Sequence, residues 1–386
     1  MKIAFIAESF LLDSSTGING TQVQLYNLAQ GFKQSGLDVH YICSTDDWRK
    51  YEENVFGIKL HWLKLSTDAF SWIKNLRLYF DALNRIEPDV VYQRGRSYLT
   101  YVGAKWAKRN SKIFMWGSNG EDGCDFWKNI KRLIRSKRAP WKKMVLMPNA
   151  LLQDILIHKG IRGANYVVNQ TENQKRRLWR NFHKNGVVIP SYFPVLPKDS
   201  DAQEKEKTVL WLANLSPEKQ PEVFLKLARY CQDCENWKFV LAGGSENKAY
   251  FHQISKRANG LPNLEIRGAV PFEESNRLFS KASLFVNTSI MEAEGLPNTF
   301  IQAWLSKTPV LSLVHDPNGW IKKHNLGFCA GGNSSVFLEM GRKWLREPGL
   351  IVDMGENCQR FAIKTFATEK IIDAYLELFG TAFYRS

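Results

Sequence analysis

Between Ile189 and Lys207 the chain reads Ile-Pro-Ser-Tyr-Phe-Pro-Val-Leu-Pro and then runs through charged and polar residues. Three prolines ahead of a run with little to bury mark a linker between two domains, not an element inside one. On either side, short apolar runs alternate with helical patterns. Before the linker the strand-like runs are Lys2–Ala7, Val39–Cys43, Lys59–Leu63, Asp89–Gln93, Lys112–Trp116 and Asn165–Asn169. Between the first two, residues 21–35 can place Val23, Leu25, Leu28 and Phe32 on one helical face. A further helix is expected at Thr171, whose spacing to Gln174 fits a capping box. After the linker the runs are Val209–Ala213, Lys238–Ala242, Leu264–Arg267, Leu284–Asn287 and Val310–Val314, with helices at Pro221–Gln232 and Phe300–Ser306. Strands that alternate with helices build parallel, doubly wound sheets. The expected fold is therefore α/β: two Rossmann-like domains facing across a cleft, with ligands at the carboxyl ends of the strands.

A length of 386 residues suits two cores. No apolar run reaches the roughly 18 residues of a membrane-spanning helix. The start, Met1–Ala7, is too short an apolar run before Glu8 for a secretory signal, so a cytoplasmic location is expected, with the six cysteines reduced. Cys231 and Cys234 have a metal-ligand spacing, but no second pair accompanies them. Charge is uneven. Residues 1–190 hold 30 Lys/Arg against 16 Asp/Glu, whereas residues 191–386 hold 23 against 22. The first half thus attracts an anionic partner: nucleic acid, a membrane surface or a phosphorylated acceptor.

The densest positive run, Lys128 to Lys143, has eight Lys/Arg and no acid. Ile130, Leu133 and Ile134 can form its apolar face, with Phe126 and Trp127 at one end and Trp141 beyond the proline. Such a helix suits an anionic membrane, with Trp127, Lys128, Lys131, Arg132 and Arg135 facing it; a helix packed on its own domain is the alternative. Nucleic acid is disfavoured, because no recognition fold accompanies the charge.

Two segments carry the chemistry. Glu294-Gly-Leu-Pro-Asn-Thr-Phe-Ile-Gln302 joins a strand to a helix start, where a carboxylate can accept from sugar hydroxyls and exposed amides meet an anion. Glu292, two residues earlier, competes for the carboxylate role. Asn214 to Pro221 again runs from strand to helix, with Lys219 placed to neutralise a diphosphate. Near the amino terminus, Thr16-Gly-Ile-Asn-Gly-Thr21 joins the first strand to the first helix without a dinucleotide fingerprint.

Together these segments resemble the retaining GT-B glycosyltransferases of family 4, and the resemblance covers the whole two-domain layout. It implies a donor-binding domain over residues 208–367 and an acceptor-binding domain over residues 1–190, completed by a carboxyl-terminal helix within 368–386, with residues 191–207 as the linker. It also implies transfer of a sugar from a nucleotide-diphosphate sugar to an acceptor hydroxyl, in surface polysaccharide or glycolipid synthesis. Glu294 and Lys219 take the catalytic roles. Asn214, Gly295, Leu296, Pro297, Asn298, Thr299, Gln302, Gly20 and Thr21 bind the donor. Two positions depart from the family pattern: Asn214 stands where an Arg is usual, and Gln302 where a second Glu is usual. No His follows the strand at Lys112–Trp116. Arg94, Arg96, Glu121 and Asp122 are instead the candidates for the acceptor. No cofactor is expected beyond the donor, and no metal, because neither an Asp-x-Asp motif nor a His pair is evident. A weakly catalytic sugar-nucleotide binder or scaffold is the alternative from another class, and a GT-B sugar-nucleotide epimerase the alternative among enzymes.

Overall fold

The computed structural model describes residues 1–11, 20–45, 51–66, 70–136, 138–194, 205–290, 295–367 and 369–383. Contacts divide the chain into two compact units. The first holds the chain up to Tyr192, apart from Gly20, and resumes at Glu369; the second holds Phe193 to residue 367, with Gly20.

The first unit is built on strands β1 (Lys2–Ile6), β2 (Asp38–Ser44), β3 (Glu52–Val55), β4 (Ile58–Leu63), β5 (Val90–Arg94), β6 (Ile113–Gly117), β7 (Tyr166–Asn169) and β8 (Val187–Val188). Its helices are α1 (Gly20–Gln34), α2 (Ser71–Ile86), α3 (Leu99–Arg109), α4 (Lys128–Arg135), α5 (Pro140–Gly163) and α6 (Glu172–Phe182). The sheet order is β3-β4-β2-β1-β5-β6-β7-β8, parallel except for the β3–β4 hairpin. Both faces are covered, which is why the central strands read as continuous apolar runs. Along β5, Val90 and Tyr92 enter one core layer and Val91 the other, as the two-residue period requires.

The second unit has strands β9 (Glu206–Leu212), β10 (Lys238–Ala242), β11 (Leu264–Gly268), β12 (Ala282–Asn287), β13 (Val310–Ser312) and β14 (Gly327–Cys329). They form an all-parallel sheet in the order β11-β10-β9-β12-β13-β14. Its helices are α7 (Pro221–Tyr230), α8 (Lys248–Ala258), α9 (Phe272–Lys281), α10 (Asn298–Leu305), α11 (Trp320–His324), α12 (Ser334–Arg346) and α13 (Gly349–Phe366). One face packs Trp211, Phe224, Phe239 and Phe337 into its core. On another side Phe279, Phe285, Phe300 and Trp304 form a chain of ring contacts at 5.2–6.2 Å.

The last helix, α14 (Glu369–Phe383), belongs to the first unit, where Ile371, Ile372, Tyr375 and Phe379 pack against Phe32 and Tyr92 of its core. In each sheet the chain winds outward from one inner strand and then restarts on that strand's other side. The crevices at these switch points lie between the carboxyl ends of β1 and β5 and of β9 and β12.

The cap expected at Thr171 forms: its hydroxyl accepts from the Gln174 amide at 3.1 Å. The return bond from Gln174 Oε1 goes to the amide of Gln170 rather than that of Thr171. No described helix is long and apolar enough to cross a membrane.

Candidate functional site

At the second switch point two loops meet. The one after β9 leaves Asn214 exposed, makes a 3-10 turn at Pro217–Lys219, places Gln220 in the left-handed region (φ 48°), and enters α7 at Pro221. The one after β12 passes Thr288 to Ile290 and resumes at Gly295 before α10. Thr288 joins them. Its hydroxyl donates to the Lys219 carbonyl at 2.6 Å and accepts from Trp211 Nε1 at 2.9 Å. The Ile290 amide adds a bond to the Glu218 carbonyl at 3.1 Å. The Lys219 turn and the start of the Gly295 segment are thus held side by side, with Lys219 half-buried.

Glu294 and its competitor Glu292 lie outside the described residues. Gly295, Leu296 and Pro297 are buried, while Asn298 and Thr299, which open α10, are half-buried. Helix α10 has no side-chain cap, so its first-turn amides present the positive end of the helix to this crevice. Gln302 lies one turn further and is buried. Its Nε2 donates to Asn276 Oδ1 at 2.8 Å and to Ser275 Oγ at 3.3 Å, both on α9. The donor end of the amide is therefore committed, and the end turned away from α9 is an acceptor.

Two features here escaped the sequence reading. His315, three residues beyond β13, is 3% exposed, and its Nε2 donates to the Gly295 carbonyl at 2.6 Å. Its ring lies 6.0 Å from Phe300, and its own amide donates to Ser312 Oγ. The second feature is Ala242-Gly243-Gly244-Ser245 after β10. Gly243 has φ 145°, and a Cβ there would sit 1.8 Å from the Ala213 carbonyl oxygen, so only glycine fits. Gly244 accepts from the Leu215 amide, and Ser245 Oγ donates to the Leu215 carbonyl. This turn braces the loop that carries Asn214. The Gly-Gly pair at a strand end was the available signal.

Gly20 opens α1, and in the first unit Thr21 Oγ1 accepts from Asn119 Nδ2 at 2.5 Å. The preceding glycine-loop residues, 16–19, lie outside the described residues. Arg94 continues the Val90–Tyr92 face of β5. It is buried, and its Nη1 donates to the Tyr92 hydroxyl at 3.2 Å, while Nε and Nη2 have no partner among the described residues.

The other three acceptor candidates are engaged by contacts within the first unit. Arg96 forms a buried ion pair with Asp154 at 3.1 Å and donates to the carbonyls of Gly123 and Asp125. Asp154 in turn accepts from the amides of Asn129 and Ile130, fixing the start of α4. Glu121 is also buried, its carboxylate held by Thr171 Oγ1 at 2.8 Å and by Asn173 Nδ2 at the start of α6. Asp122 pairs with Lys128 at 2.7 Å. That pair also ties down one of the five residues assigned to a membrane. Trp127 is 39% exposed, with its ring 4.9 Å from His158 and its amide donating to His158 Nε2. Burial, reinforced by Arg96, pushes His158 down to about 4, so the ring is neutral and can accept. Lys131, Arg132 and Arg135 are exposed, whereas Leu133 is buried.

The sequence matches the family described as Glycosyl transferases group 1 over residues 193–361, and Glycosyltransferase Family 4 over residues 18–191. The chain belongs to the group 1 glycosyltransferases. Among curated relatives of this glycosyltransferase is the poly(ribitol-phosphate) alpha-N-acetylglucosaminyltransferase of Staphylococcus aureus, 22% identical over 221 residues. The match covers 56% of this chain and 44% of that protein, so the chain spans less than half of that relative's length. The alpha-monoglucosyldiacylglycerol synthase of Acholeplasma laidlawii is 18% identical over 334 residues, covering 82% of this chain and 81% of that one. Among solved structures, Anabaena HepE in complex with UDP-glucose superposes with a TM-score of 0.69 at 14% identity, covering 99% of this chain and 100% of that one. At that identity the likeness establishes the fold: GT-B, two parallel-sheet α/β domains.

In chemical terms the glycosyltransferase brings a cation, a helix amino terminus, a glycine-braced loop and an amide held through its nitrogen to one switch point. Among the described residues no group of three or more His, Cys, Asp or Glu is placed to hold a metal ion.

Proposed function

We propose that this protein transfers a hexosyl group from a nucleotide-diphosphate sugar to an acceptor hydroxyl, with retention at the anomeric carbon and without a metal ion. The supporting observation is the junction at Thr288, which sets the Lys219 turn beside the segment leading into α10. As the glycosidic bond breaks, the diphosphate gains negative charge and the sugar becomes oxocarbenium-like. Lys219 and the first-turn amides of α10 stabilise the leaving group. Glu294 accepts from the sugar hydroxyls, with Gly295, Leu296, Pro297, Asn298 and Thr299 shaping the pocket beside it. The leaving phosphate assists deprotonation of the acceptor on the same face, so no dedicated nucleophile is needed. Gln302 offers the ribose an oxygen acceptor, the polarity a carboxylate would supply, and Asn214 offers a neutral hydrogen-bonding group.

In this reading residues 208–367 bind the donor. The domain of residues 1–190, completed by the helix within 368–386, binds the acceptor. Of the four acceptor candidates, Arg94 keeps unsatisfied donors, at the switch point of the first sheet. The acceptor belongs to a surface polysaccharide or glycolipid. The protein works in the cytoplasm against the inner membrane face, drawn there by Lys131, Arg132 and Arg135. The glucosyldiacylglycerol synthase among its relatives and the net charge of +15 support that placement.

A thermal-shift screen of nucleotide sugars tests the donor assignment, since a ligand that binds the native state raises its melting temperature. Lys219→Ala should remove the shift, and an unchanged response refutes the phosphate role. Transfer that chelator abolishes and magnesium or manganese restores refutes metal independence. The departures at Asn214 and Gln302 favour a second reading, a binder with little turnover. Donor binding without transfer or hydrolysis across lipid and glycan acceptors would establish it.

A further inference from the structure

Helix α5 leaves one side without partners among the described residues. Trp141, Met144, Val145, Pro148, Leu151 and Leu152 recur at three- and four-residue spacing, and all are exposed, Leu151 at 40% and Met144 at 73% among them. Over about 12 residues this stripe runs roughly 18 Å. The opposite side faces the domain: Leu146, Met147, Asn149 and Ala150 are half-buried, and burial is complete further along the helix. Asn149 accepts from Trp72 Nε1 at 2.8 Å, Asp154 holds Arg96, and Ile157, His158 and Ile161 are buried. A Cβ at Gly160 would come within 2.5 Å of the Thr100 backbone, so α5 lies directly against α3. The helix is therefore fixed in rotation, with its second apolar face turned outward.

The charges around the stripe identify its occupant. Lys131, Arg132, Arg135, Arg138, Lys142 and Lys159 are exposed, and Lys142 Nζ lies 5.3 Å from the Trp141 ring. Between residues 126 and 163 the only acid is Asp154, 0% exposed within its ion pair with Arg96. A second copy laid on this face would bring cations against cations. A lipid surface with anionic headgroups complements both parts at once, the apolar stripe in the acyl boundary and the cations at headgroup level.

We propose that α5, not the basic helix α4, is the membrane-inserting element: its stripe enters an anionic bilayer while α4 supplies electrostatic attraction. This rests on the membrane reading above and changes its chemistry from surface adsorption to hydrophobic insertion. The two differ in their response to salt, which screens exposed charges and leaves apolar insertion in place.

The test is sedimentation of the full chain with phosphatidylglycerol/phosphatidylcholine vesicles at low salt and at about 0.5 M salt. The wild type should remain bound in part at high salt. Met144→Glu with Leu151→Glu should lower the partition coefficient by about tenfold or more at both salts. Lys131→Glu with Arg132→Glu should weaken binding at low salt and leave the salt-resistant part. The donor-induced thermal shift should be unchanged in both variants, which separates misfolding and any failure of the donor assignment from failure here. The proposal is overturned if wild-type binding is fully reversed by salt, or if the α5 variant sediments like the wild type. It is equally overturned by a dimer in solution that the α5 variant abolishes, or by no vesicle binding, which removes the surface-adsorption reading as well.

Discussion

Asp154→Ala tests whether Arg96 serves structure or substrate. In the folded chain the Arg96 guanidinium is buried, paired with Asp154 at 3.1 Å and bonded to the carbonyls of Gly123 and Asp125. Removing the carboxylate leaves that guanidinium uncompensated, at about 3–5 kcal/mol. It also strips the acceptor from the Asn129 and Ile130 amides, so the upper part of that range is expected. For a unit of this size the melting temperature falls about 2–4 °C per kcal/mol, so a cost of about 4–5 kcal/mol gives a drop of roughly 8–20 °C in the transition of the first unit. Arg96→Met is the milder change, because an abandoned carboxylate can take up a proton whereas a guanidinium cannot release one. Arg96→Met combined with Asp154→Ala should cost about 3 kcal/mol less than the two single changes summed, which is the coupling of the pair. Differential scanning calorimetry of the four proteins measures the cycle, and acceptor KM is measured below the onset of unfolding. A cost under about 1 kcal/mol for Asp154→Ala, the range of an exposed pair, would refute the reasoning. So would an Arg96→Met protein of native stability with a much raised acceptor KM.

Two further expectations concern the second unit. Burial pushes the Lys205 ammonium down to about 7, where it donates to the carbonyls of Phe279 and Ala282 and to Thr308 Oγ1. Between that pH and the ordinary lysine range, the unfolded chain holds a proton the folded chain has released. Stability of this unit should therefore rise as pH climbs from about 7 to 10, and Lys205→Met should flatten that rise in melts across the window. His315→Leu keeps the bulk but loses the donor to Gly295, and should raise donor KM about tenfold with kcat less affected. His315→Gln should restore most of the affinity, and equal defects in the two variants would assign the ring a packing role.

The strands were legible because β1, β5, β6, β9, β10 and β12 lie between two layers of helices and so carry unbroken apolar runs. The strands missed had no such signature. β3 is a polar edge strand, β8 has two residues, and β14 reads Gly-Phe-Cys. The two loops at the second switch point were legible as local patterns, a strand end followed by a helix start. The contacts of the charged residues in the first unit were not. A charge after a strand looks the same in sequence whether it faces a ligand or an acid 58 residues away, as with Arg96 and Asp154. His315 escaped for a similar reason, since its partner, the Gly295 carbonyl, lies 20 residues earlier. The stripe on α5 has plain helical spacing, but periodicity cannot say which of two apolar faces turns inward.

Helix α14 has a consequence for how the chain is made. Its Ile371, Ile372, Tyr375 and Phe379 belong to the core of the first unit, alongside Phe5, Phe32 and Tyr92. On the ribosome these four side chains emerge after the entire second unit has been translated. The amino-terminal half must wait, with one apolar layer incomplete, while the later half is synthesised and can close its own core. Order of synthesis and order of completion are thus reversed between the two units. In the interval, the uncovered face around Phe32 is where association with chaperones or aggregation is expected to begin.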